Sequence, residues 1–101
     1  MSYPTPIHVG QFDPIKEGDI VDFYLDVSAD LDVGETISTA AFTVTDDEGA
    51  TVAGVVSTHT ESGGRTSFRV TAPAVGGYLL TAVLTISDGQ RFTRVADLVV
   101  A

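Results

Sequence analysis

Cysteine and tryptophan are both missing from the 101 residues. Without cysteine there can be no disulfide framework, no thiolate zinc site and no cysteine nucleophile. The absence leaves the compartment open, because many secreted β-domains also lack disulfides. Basic side chains are scarce, 5 against 14 acidic ones, for a net charge of −9. A nucleic-acid surface must neutralise phosphates with Lys and Arg, so no nucleic-acid partner is expected. Anionic membrane surfaces are disfavoured on the same ground. No apolar run approaches the roughly 20 residues of a membrane-spanning helix. The opening stretch MSYPTPIHVGQFDP has neither a basic n-region nor a continuous apolar h-region, so it does not read as a signal peptide. The expectation is a cytoplasmic product, or a chain whose signal has been removed.

What is present is globular in composition, 44% hydrophobic and 19% charged. The length suits one domain with a modest core, for which contacts with neighbours would matter. Residues 1–18 read as an irregular N-terminal arm, with Pro4, Pro6 and Pro14 removing donors and favouring extended geometry. Its apolar residues Ile7, Val9 and Phe12 fit two roles, an edge strand on the domain's own core or an arm docked on a neighbouring subunit. From residue 19 to residue 101 the period is two. Val21, Phe23, Leu25 and Val27 alternate with polar residues, as do Ala40, Phe42 and Val44, and again Thr66, Phe68 and Val70. Asp88-Gly89 between two apolar runs predicts a hairpin with a type I′ turn. In the first of those runs Tyr78, Leu80, Ala82, Leu84 and Ile86 share one face, and Leu79, Thr81, Val83 and Thr85 the other. Both faces are fairly apolar, so the strand lies mid-sheet or is covered on its outer side. The fold class is therefore all-β, an immunoglobulin-like antiparallel β-sandwich of about seven strands, without the Ig disulfide or its core tryptophan.

Candidate chemistry is sparse. Asp30, Asp32 and Gly34 give D-x-D-x-G, but Val33 precedes the glycine and no helices flank the turn, so it reads as a solvated acidic turn with no metal. The two histidines, His8 and His59, lie in unrelated segments and read as surface residues. There is no G-x-S-x-G, and the glycine pair Gly63-Gly64 opens no helix that could cradle phosphate. Neither a catalytic group nor a cofactor is expected.

Charge is unevenly spread. From Asp13 to Glu48 Lys16 is the only base, whereas Arg65, Arg69, Arg91 and Arg94 all follow residue 60. Acids and arginines either offset each other within one molecule or meet head to tail between copies. Both readings stand at this point. The uncovered Leu79–Val83 face is the further candidate interface, with Arg91 on the next strand pairing an acid across it.

Two blocks carry a family resemblance. Leu31, Gly34-Glu35-Thr36-Ile37 and Phe42-Thr43-Val44 form the first. Gly76-Gly77-Tyr78, Leu80-Thr81, Asp88-Gly89, Arg91, Leu98 and Val100 form the second. Over about residues 18–100 the chain resembles the fibre-tail adaptor group of small virion proteins from tailed bacteriophages. Phe42 stands where that pattern usually has an indole, and Gln90 separates the hairpin glycine from Arg91. The resemblance implies a non-enzymatic, multi-copy virion component assembled in the host cytoplasm, an adaptor that joins tail or neck and fibre components or decorates the particle. Its partners would be tail, neck, fibre or capsid subunits and copies of itself. The alternative is an Ig-like adhesive or carbohydrate-binding module of a bacterial surface protein.

Overall fold

The computed structural model describes the backbone of residues 7–11 and the whole of residues 14–101. These residues form seven strands: β1 (Ile7–Gln11), β2 (Ile20–Asp26), β3 (Ile37–Asp46), β4 (Val56–Ser62), β5 (Arg65–Thr71), β6 (Gly76–Ile86) and β7 (Arg91–Val100). A 3-10 turn at Ser28–Asp30 is the one helical element among them. The strands divide into a four-stranded sheet, β1-β7-β6-β3, and a three-stranded sheet, β2-β5-β4. All pairings are antiparallel except β1 with β7, which is parallel. The all-β sandwich expected from the alternating pattern is what forms. The Ig arrangement also places its B, E and D strands in one sheet and its C, F and G strands in the other.

The period of two fixes which side chains enter the core. On β6 Leu80, Ala82, Leu84 and Ile86 are buried, and on β5 Thr66, Phe68 and Val70 face them from the other sheet. A tryptophan and disulfide would normally pin such a core. Here three phenylalanines hold its centre. Phe68 lies with its ring 4.8 Å from Phe42 on β3 and 6.2 Å from Phe23 on β2. Edge-tilted ring pairs at such spacings contribute about 0.5–1.5 kcal/mol beyond their buried area. At the start of β6 the Tyr78 hydroxyl donates to the Ala74 carbonyl, four residues upstream, at 2.6 Å. That contact is a tyrosine corner, and Leu80, two residues on, occupies the place of the missing second cysteine.

Two expectations are modified. The β6–β7 turn is not type I′, because among the described residues no non-glycine residue, Asp88 included, has positive φ. Ser87-Asp88-Gly89 form a three-residue loop in which Gly89 alone is left-handed, at φ 95°, and its amide bonds the Ile86 carbonyl. A type I turn followed by a left-handed glycine bulge spares the aspartate the steric cost of positive φ. The N-terminal arm is not irregular throughout, since residues 7–11 lie along β7 with Ile7 opposite Arg94 and His8 opposite Val95. Ile15 is buried in the core and its amide bonds the Val99 carbonyl, so residues before 19 help close the sandwich. Phe12 lies outside the described residues.

Candidate functional site

The outer faces of the two sheets differ in chemistry. On the three-stranded sheet, β2 and β5 pair so that Asp22 lies opposite Arg69 and Asp26 opposite Arg65. Arg69 bonds Asp22 through two nitrogens, at 2.8 and 3.2 Å. This guanidinium holds the Asp22 carboxyl below its ordinary range and is itself raised by it. Asp26 is held low chiefly by the Ser28 hydroxyl and amide and secondarily by Arg65, which also lies 4.3 Å over the Tyr24 ring. The acid-rich first half and the arginine-bearing second half thus meet by strand pairing within one molecule.

Arg94 has a different setting. It occupies a core-facing place on β7, its side chain only 5% exposed, and bonds Asp30 at 3.0 Å and the Thr93 carbonyl at 3.2 Å. Asp30 of the D-x-D-x-G turn is therefore engaged by an arginine. Among the described residues no group of three or more His, Asp or Glu side chains is placed to hold a metal ion. His59, on the core-facing side of β4, bonds Glu61 at 2.7 Å and lies against Phe42.

The outer face of the four-stranded sheet carries almost no charge. Its cross-strand rows run Thr39–Thr85–Arg91, Ala41–Val83–Thr93, Thr43–Thr81–Val95 and Thr45–Leu79–Asp97. Leu79, Thr81, Val83, Thr85, Val95 and Val99 are half-buried, and Thr93 in the central row is buried at 6% exposure. Arg91 and Asp97 mark opposite ends of this field. The nominated residues thus fall in separate places. Leu79, Val83 and Arg91 share this face, Ile7 and Val9 belong to its edge strand β1, Arg65 and Arg69 lie on the opposite sheet, and Arg94 is internal. Sequence reasoning named Gly77 only within the family block and not as a site residue; it pairs with Val99 and borders a hollow in the face near Asp46, Asp47 and Asp97. A glycine at an outward position of a strand was the available signal.

The model of the podophage GP4 fiber-tail adaptor protein gp77 family matches residues 16–99. The chain belongs to this family. The match takes in every strand but β1, including the uncharged face on β3, β6 and β7, and it bears out the resemblance drawn from the Gly34–Ile37 and Gly76–Val100 blocks. No curated protein matches the chain. Among solved structures, titin M4 in a trigonal crystal form is similar at a TM-score of 0.52 and 18% identity, over 94% of this chain and 91% of the M4 chain. That likeness bears on the sandwich fold alone. A fibre-tail adaptor is a structural part of a virion, and the described surface is one of sheet faces and turns rather than a deep cleft.

Proposed function

We propose that this chain is a non-enzymatic, multi-copy adaptor that joins tail or neck and fibre components of a podophage particle. It would assemble in the host cytoplasm and dock through the outer face of its four-stranded sheet. The family match over residues 16–99 carries the reading. The chemistry of the face supports the choice of surface. Thr and Val side chains on a flat sheet lose little entropy on docking and bury apolar methyls, whereas the opposite face is already occupied by its own ion pairs.

The test replaces the native gene with Val83→Asp. Val83 sits on the outward row of β6, between buried Ala82 and Leu84. The variant should keep its β-rich circular dichroism yet be missing from purified particles, because a carboxylate would be buried unpaired at the seam. Normal incorporation would remove this face as the docking surface. Absence of the unmodified protein from purified particles would overturn the adaptor reading itself.

A further inference from the structure

The uncharged face is bounded by charges of opposite sign. Arg91 stands in the row of Thr85 and Thr39, and Asp97 in the row of Leu79 and Thr45. Six residues of one strand at about 3.3 Å each separate them by roughly 20 Å. The acidic end is also hollow. A depression of about 340 Å³ opens there, bordered by Asp46, Asp47, Gly77, Leu79, Asp97 and Val99. Gly77 contributes no side chain to it, and a Cβ added there would meet no atom within 4 Å. The backbone does not demand glycine at this place, because Gly77 is absent from the left-handed positions.

Resting on the reading of this face as a docking surface, we propose that its occupant is a second copy of the chain. The two copies are related by a two-fold axis crossing β7 at residue 94, and each seats its Arg91 in the other's hollow over Gly77. Sheets that pack face to face keep their strands aligned to within about 30°, so only two directions need comparing. With strands running the same way, the row that holds Arg91 would lie on its own copy and the acidic end on the acidic end. With strands opposed, each Arg91 lies over Asp97, Asp47 and the hollow. Residue 94 is midway between 91 and 97, so the opposed arrangement needs no slide along the strand. It stacks the rows of Ala41–Val83–Thr93 and Thr43–Thr81–Val95 at the centre, where Thr93 is already buried within its own chain and the small or β-branched side chains of Ala41, Thr43, Thr81, Val83 and Val95 meet.

Arg91 and Asp97 also interact within their own chain. The pairing between copies rests on the sign and position of the charges and not on idle side chains. The three long strands β3, β6 and β7, about 4.8 Å apart and ten or eleven residues long, span roughly 500 Å² in projection, against the ~800 Å² per partner of a standard interface. The dimer is therefore a reversible one. The contact is isologous and closes at two copies.

Sedimentation equilibrium of the purified chain from micromolar to millimolar concentration tests this. The unmodified protein should pass from monomer to dimer and no further. Gly77→Val should fold at least as stably, since valine favours strands and meets no backbone strain, yet weaken the dimer about tenfold or more by filling the hollow. Arg91→Glu and Asp97→Arg should each weaken it similarly, and the double reversal should restore it. A protein that stays monomeric throughout, or a dimer indifferent to Gly77→Val, overturns the proposal. The two readings fail separately. A monomer whose Val83→Asp variant is lost from particles removes the dimer and keeps the adaptor. A dimer sensitive to Gly77→Val, made by a protein missing from particles, does the reverse.

Discussion

Replacing Asp30 with alanine takes a charged partner from Arg94, the one buried charge among the described residues. The Arg94 guanidinium has an acid at 3.0 Å, a backbone carbonyl at 3.2 Å and the Phe92 ring 5.0 Å away. Breaking a fully buried ion pair costs about 3–5 kcal/mol, because the remaining charge stays desolvated. Asp30 is 54% exposed, however, so water can take up part of its role. Exposed pairs contribute at most about 1 kcal/mol, which brings the expected cost to roughly 1–2 kcal/mol. Arg94→Met keeps an unbranched apolar stem beside Phe92 and removes the desolvated charge altogether. Its cost should stay within about 1 kcal/mol, since apolar replacement of a buried pair is often neutral.

For a domain of this size 1 kcal/mol moves the melting midpoint by about 4–8 °C, so Asp30→Ala should melt roughly 5–10 °C lower. Thermal unfolding followed by circular dichroism, with urea titrations at one temperature, would measure both variants and the double variant. The double variant should resemble Arg94→Met and not the sum of the two losses, because the partners act through one contact. If Arg94→Met loses more than Asp30→Ala, or if Asp30→Ala is silent, the guanidinium is held by packing and the account of this pair is wrong.

Tyr78→Phe removes the hydroxyl bonded to Ala74 and should cost about 0.5–1.5 kcal/mol; an unchanged urea midpoint would deny the tyrosine corner a stabilising role. Asp22 is held below its ordinary 3.8 by Arg69, so its contribution is present above pH 3.8 and lost as pH falls through the lower folded value. Asp22→Asn should therefore melt lower than the unmodified protein at pH 7 and converge with it in strong acid, and an equal gap at both would refute the linkage. Glu35 has the opposite sign. Its hydrogen bond with Asp88 raises it above 4.5, so the contact is strongest in acid and weakens as pH rises through the folded value. Glu35→Gln, which needs no proton to donate, should raise the midpoint at pH 7 and leave it unchanged near pH 4. Millimolar calcium should leave the melting curve in place, because Asp30 already pairs with Arg94; a shift of several degrees that is lost in Asp32→Asn would show a calcium site.

The alternation of Val21, Phe23 and Leu25, and of Thr66, Phe68 and Val70, made the inward faces legible, because a strand has only two sides. It could not show that Asp22 would meet Arg69, since register between β2 and β5 depends on the turns and on packing across the sandwich. The same limit hid Arg94. Its place in the inward row of β7 was readable from Phe92, Ala96 and Leu98, but an arginine there made sense only once the Ser28–Asp30 turn brought an acid within reach. Asp88-Gly89 announced a hairpin and not its turn type, because loops of two and three residues use the same residues. Gly77 stood in the sequence only as part of the Gly76-Gly77-Tyr78 block, and pairing with Val99 is what places it in the outward row of β6.

Association between copies could proceed by adding strands at sheet edges or by stacking faces. The three-stranded sheet is guarded against the first route. On its edge strand β4, Glu61 points toward the core side, bonded to His59 and Thr66, and an inward charge on an edge strand opposes pairing with another strand. On the other edge strand, β2, the acids Asp22 and Asp26 lie exposed beside their arginines. The four-stranded sheet lacks such guards on its outer face, where the charges lie at the ends of the rows and not across them. With a net charge of −9 the molecule repels copies that approach in most orientations. An opposed, face-to-face approach alone brings each Arg91 over acids while the uncharged rows close. The placement of a few charges thus selects one geometry from the several that a flat Thr- and Val-rich sheet would otherwise allow.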